Sequence, residues 1–156
     1  RKIAPALGRA PGAVHLRTDV LRKRQAGVAQ TQRLPAEAYT KAASEAVYAE
    51  LFAEARTVLA AGQAAVVDGV FAAPDERLQA RRVAEEAGVR FSGIWLEASP
   101  ETLAARVDGR TGDASDATAD VVRTQATYDL GDIDWDRVWT GGPGDETLDA
   151  ARKKLD

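Results

Sequence analysis

Apolar positions along the chain fall into two alternating patterns. Short unbroken runs occur at Ala13-Val14-His15-Leu16-Arg17, at Ala64-Ala65-Val66-Val67-Asp68, from Phe91 to Leu96, and at Val138-Trp139-Thr140. Between them lie longer stretches in which apolar residues recur at helical spacing, as in Ala43, Val47, Leu51, Ala55, Val58 and Leu59. That spacing predicts a helix from about Thr40 to Ala61, with Gly62 as its stop. Pro74 opens another helix, through Glu86, and Pro100 after Ser99 opens one running to about Arg110. Further helices are predicted over 117–128 and 145–154, with a short basic one over 20–24 behind Thr18-Asp19. Residues 1–8 read as the end of a helix closed by Gly8. Residues 25–38 form a long polar loop, and loops of that length are often functional.

Continuously apolar strands separated by helices indicate a parallel sheet covered on both faces, hence an α/β fold. In such folds ligands sit beyond the carboxyl ends of the strands. Three strands end there in polar or acidic residues: Arg17-Thr18-Asp19, Asp68 and Glu97.

Composition narrows the function classes. The 156 residues carry a formal charge of −3, which gives no general pull toward nucleic acid or an anionic membrane. No cysteine is present, so there is no disulfide, thiolate metal site or cysteine nucleophile, and a cytoplasmic setting is the expectation. No signal peptide or membrane-length apolar run is found. The opening Arg1-Lys2-Ile3-Ala4, without methionine or an N-cap, predicts a fragment. Abundant Ala, Arg, Asp and Gly suggest a GC-rich bacterial source.

Three groups of residues carry candidate chemistry. Asp68, closing an Ala-Val run, either holds Mg²⁺ beside a triphosphate or caps the following turn. Asp19 stands among Arg17, Arg22, Lys23 and Arg24, as a general base, a substrate anchor or a helix cap. Arg106 and Arg110, one helical turn apart, precede a polar loop with Asp113, Ser115 and Asp116, and Arg123 and Gln125 follow. Arginines flanking such a loop suit a lid that closes over phosphates, although a solvated charged face has the same spacing. His15 and the three tryptophans read as core or sheet-edge residues, and Gly141-Gly142-Pro143-Gly144 as a turn.

The ordered set Gly8–Lys23, Ala65-Val66-Val67-Asp68-Gly69-Val70-Phe71, Trp95–Val107, Arg110–Ala117 and Val121-Val122-Arg123-Thr124-Gln125 resembles the P-loop kinases of the AAA-domain type. These are similar to gluconate, shikimate and polynucleotide kinases and zeta toxins, and also occur fused to an aminoglycoside-phosphotransferase-like domain. The resemblance implies one three-layer P-loop domain over residues 1–156, with an acceptor-binding region at about 19–60 and a lid at about 106–125. It implies an ATP- and Mg²⁺-dependent phosphotransferase acting on a small-molecule hydroxyl, with a non-catalytic ATP-binding regulatory module or a polynucleotide 5′-hydroxyl kinase as alternatives. Nucleic acid and membrane are not the expected partners. By position, Asp19 matches the acceptor-activating acid, Arg22 (with Arg17 beside it) the acceptor's anion, and Asp68 the acid near Mg²⁺. Arg106 and Arg110 match the nucleotide edge, and Arg123 the lid arginine facing the phosphates. Arg33, Tyr39, Lys41 and Tyr48 are candidates for acceptor choice.

The Gly-x-x-x-x-Gly-Lys-Ser/Thr loop of that family does not occur in these residues. In the resembled fold the strand order is 2-3-1-4-5, so the strand leading into that loop is the central one. Without it the strands ending at Asp68 and Leu96 are expected about 10 Å apart, two strand spacings, with unpaired edges facing the gap.

Overall fold

The computed structural model describes residues 3–109, 112–142 and 144–155. Four parallel strands and six α-helices alternate among them: β1 (Val14–Arg17), α1 (Thr18–Gln25), α2 (Lys41–Ala60), β2 (Ala65–Asp68), α3 (Pro74–Glu86), β3 (Ile94–Glu97), α4 (Pro100–Asp108), α5 (Ala119–Gln125), β4 (Asp136–Trp139) and α6 (Gly144–Lys153). The α/β fold read from the hydrophobic pattern is the fold observed.

The strands form two separate pairs. β1 lies parallel to β2, with Val14 opposite Ala65 and Arg17 opposite Asp68. β3 lies parallel to β4, with Ile94 opposite Asp136 and Glu97 opposite Trp139. No ladder joins β2 to β3 among the described residues. A cleft of about 1110 Å³ lies between the two pairs, lined by both strands and by Leu59, Phe71, Val83, Trp95 and Trp135. This is the gap expected from the strand order of the resembled fold.

The core sits behind β1 and β2. Leu51 and Val47 of α2 are fully enclosed, and Tyr48, Phe52, Phe71 and Val83 close around them. Tyr48 and Phe71 meet edge to face at 5.2 Å between ring centroids, and Phe71 contacts Trp135 at the same distance. Burying one apolar face suffices to hold α2, whose start is fixed by the Thr40 hydroxyl accepting from Ala43 N at 3.3 Å.

Three details depart from the sequence expectation. Where the end of a helix was expected over 1–8, the described residues 3–8 hold a 3-10 turn at Ala4–Ala6, because Pro5 supplies no amide proton and Gly8 turns the chain at φ 73°. Strand β3 begins at Ile94 and not at Phe91, because the Trp135 indole lies against Gly93, where a Cβ would stand 2.5 Å from the ring. Helix α1 begins at Thr18, with Arg17 at its N-cap position and no side-chain cap hydrogen bond. Asp19 therefore lies in the first turn, where its charge favours the helix dipole, and the cap reading is set aside.

Candidate active site at the carboxyl ends of β1 and β2

Register places Arg17 beside Asp68 at the strand tips, and α1 starts immediately after Arg17. The guanidinium is the centre of the cluster. It donates to Asp113 Oδ1 at 2.8 Å, and lies 3.5 Å from Asp68 Oδ2 and 3.9 Å from Asp19 Oδ2. Asp113 comes from the segment between α4 and α5, nearly a hundred residues away in sequence. One cation thus gathers three carboxylates from three parts of the chain. Its charge is further stabilised by the Asp113 hydrogen bond.

Asp19 is largely enclosed, as is Asp113. Burial pushes its carboxyl above the ordinary range; a hydrogen bond from the Ser115 side chain and the charge of Arg17 pull it back, while Asp68 and Asp113 add to the rise. A carboxyl raised in this way is a better proton acceptor than an ordinary aspartate at neutral pH. Asp68 is half-exposed, and His15 Nε2 lies 3.1 Å from its Oδ2. His15, read from the sequence as a packed core residue, is thus only partly buried and joins the cluster. Nothing in a short apolar run signals which strand neighbour a histidine will meet.

The backbone beside Asp68 is held closely. A Cβ at Gly69 would stand 2.8 Å from Thr18 Cγ2 and 3.0 Å from Tyr48 Oη, so only glycine fits. Phe71, at φ 50°, donates its amide to Tyr48 Oη at 2.8 Å. Arg77, buried on α3, donates to Phe71 O at 2.7 Å and Ala72 O at 2.9 Å, and also reaches Leu130 O and Asp132 O. Tyr48 is therefore built into the support of the β2 tip. Arg77 gave no signal in the sequence, because a buried arginine on a charged helix reads like a solvated one.

The other expected residues are placed elsewhere. Arg22 is buried; it donates to Ala38 O at 2.6 Å and Ser44 Oγ at 3.3 Å and stacks over Tyr39. Arg106 bonds Thr140 through its hydroxyl at 3.0 Å and its carbonyl, tying α4 to the end of β4. Arg123 is exposed on α5 and paired with Asp120 at 2.5 Å. Lys41 is fully in solvent, and Arg33 lines a small polar cleft of about 170 Å³ with Thr31, Asp113 and Ser115. Arg110 lies outside the described residues. Trp95 and Trp135 pack against the core, whereas Trp139 is exposed on the edge strand.

Mg²⁺ is commonly held by one or two carboxylates together with substrate phosphates and waters. Asp68, accessible at the strand tip, fits that single-carboxylate part, and among the described residues no three His, Cys, Asp or Glu side chains are arranged to hold an ion by themselves. No helix among them is long and apolar enough to cross a membrane.

Uncharacterized proteins of Mycobacterium tuberculosis and Mycobacterium bovis are each 31% identical over 147 residues, covering 90% of this chain. The chain spans 29% of the length of these curated relatives. A crystal structure from Chloroflexus aurantiacus, described as a "putative kinase", superposes with a TM-score of 0.61 over 92% of this chain and 81% of its own, at 16% identity. That likeness concerns the fold. The family model for the AAA domain matches residues 3–128, and the chain belongs to that family.

Proposed function

We propose that the chain forms the acceptor and lid sides of a phosphotransferase domain that moves the γ-phosphate of ATP to a small-molecule hydroxyl. The observation that carries the reading is the cluster at the strand tips, where Arg17 lies within 3.9 Å of Asp19, Asp68 and Asp113 and burial raises the Asp19 carboxyl. Asp19 would accept the proton of the attacking hydroxyl, and Arg17 would hold the acids in register. Asp68 would hold Mg²⁺, which when bound neutralises charge on the phosphates. Arg123, exposed and tied only to its own helix, has the freedom to swing toward phosphate, and Arg110 would act from the same lid. Arg106 and Arg22 serve this reading by position: one fixes α4 to β4, the other shapes the acceptor loop. The Gly-Lys phosphate cradle does not occur among the 156 residues, so these residues account for two sides of the reaction and not for all three.

A cytoplasmic bacterial protein is the setting this reading favours, in keeping with the mycobacterial relatives. A fused aminoglycoside-phosphotransferase-like domain is a candidate for the remainder of a longer chain. The test is phosphoryl transfer by the full-length protein and its Asp19→Asn variant in an untargeted metabolite screen. Loss of about a hundredfold or more in the variant is the expected outcome, in the range of general-base contributions. Undiminished transfer removes Asp19 as the base. ATP binding with no phosphorylated product points to a regulatory module, and label on 5′-hydroxyl oligonucleotides to an end kinase.

A further inference from the structure

Lys23 is among the most completely enclosed side chains of the molecule, with 1% of its side chain exposed. A buried ammonium is stable only when paired and hydrogen-bonded. Its partner is Asp116, in the segment between α4 and α5, with Nζ 2.5 Å from Oδ2. Lys23 also donates to Gln32 O. The same Asp116 oxygen accepts from Leu34 N at 3.0 Å and from Tyr39 Oη at 2.6 Å. One carboxylate oxygen thus collects donors from α1, from the loop after it, and from the 3-10 turn Ala36–Tyr39.

The neighbours of Asp116 follow the same course. Asp113 bonds Arg17, and Ser115 bonds Asp19. The segment 113–116 is therefore laid along the tip of β1 and the first turns of α1, three contacts deep. Asp19 and Lys23 are four residues apart and share one face of α1, so the contact at Asp116 sets where Ser115 stands over Asp19. Desolvation alone would raise the Asp116 carboxyl, yet its donors hold it below the ordinary range, consistent with an ionised anchor.

We infer that Asp116 is a positioning residue: its carboxylate clasps the lid segment to the acceptor loop and holds Ser115 on Asp19. The catalytic half of this inference rests on the kinase reading; the clasp does not.

Hydrogen exchange of the full-length protein tests the clasp without nucleotide. Asp116→Asn is expected to speed exchange at amides of both 26–39 and 112–118 by roughly tenfold or more, while α2 and α3 stay protected. Because that variant leaves an ammonium buried, the Lys23→Met, Asp116→Leu double variant is measured beside it; apolar replacement of both partners keeps the fold. Unchanged exchange in both variants overturns the clasp. With water as acceptor, ATP hydrolysis reads the positioning: kcat falls roughly tenfold in Asp116→Asn with KM for ATP within about twofold, and Asp116→Glu restores part of it. A rise in KM without loss of kcat overturns the positioning role. Absence of ATP turnover by the unaltered protein overturns the kinase reading, and exchange still decides the clasp.

Discussion

At the scale of single residues, the site is organised by cost. Three carboxylates brought together repel one another, and Arg17 lies within 3.9 Å of all three, while His15 meets Asp68. Asp19 carries part of that cost, because burial raises its carboxyl. A carboxyl whose folded pKa lies above its unfolded one adds nothing to stability at low pH, where both states are protonated. As pH rises from the unfolded toward the folded pKa, the unfolded chain ionises first and stability is lost; above both, the full penalty remains. Asp19→Asn is therefore expected to raise the Tm of the full-length protein at pH 7, with the gain vanishing by about pH 3, below the ordinary carboxylate range. Thermal unfolding across that range checks it, and a gain that grows on acidification contradicts the burial argument. A residue that lowers stability where it lowers barriers is a common sign of function.

Elements matter here mainly for what they hold in place. Helix α2 packs on both β1 and β2, and so fixes the register that sets Arg17 beside Asp68. Helix α3 holds the turn after β2 through one buried side chain. Arg77 reaches four carbonyls, two in that turn and two before β4, a fan that a planar guanidinium can supply and an ammonium cannot. Arg77→Lys should cost about 2–3 kcal/mol, since hydrogen bonds to charged groups are worth about 1.5–3 and the Phe71 carbonyl among its acceptors is buried. Denaturant unfolding measures the loss. A change below about 0.5 kcal/mol, ordinary for a surface substitution, would mean that the fan contributes nothing net.

Across the whole molecule, the divided sheet dominates. β2 and β3 each turn one backbone edge toward the cleft, where their N–H and C=O groups have no strand partner among the described residues. Each such group, if enclosed without a partner, costs about 1–3 kcal/mol, against a total stability of about 5–15 kcal/mol for an ordinary domain. The apolar lining of the same cleft adds exposed hydrophobic surface. Residues 1–156 produced alone are therefore expected to unfold over a broad range without a sharp transition, to bind the dye ANS, and to bind ATP weakly. A cooperative transition and tight ATP binding by this stretch would defeat that expectation.

The division between what was legible and what was not follows the range of the forces. Strand and helix order, the parallel α/β class and the acids at the strand tips were readable, because local periodicity and apolar runs encode them. Helix ends at Pro74, Pro100 and Thr40 were readable for the same reason, since caps and prolines act within one turn. The gap between β2 and β3 followed only from strand order in a resembled family. Which arginine stays free was not legible: Arg17, Arg22, Arg77, Arg106 and Arg123 look alike in sequence. Tertiary structure sends Arg17 to three acids, Arg22 and Arg77 to backbone carbonyls, Arg106 to Thr140 and Arg123 to solvent beside Asp120. The pairing of Asp113, Ser115 and Asp116 with Arg17, Asp19 and Lys23 was equally hidden. Those partners lie more than ninety residues apart, and no local pattern specifies which charges will meet once the chain has closed.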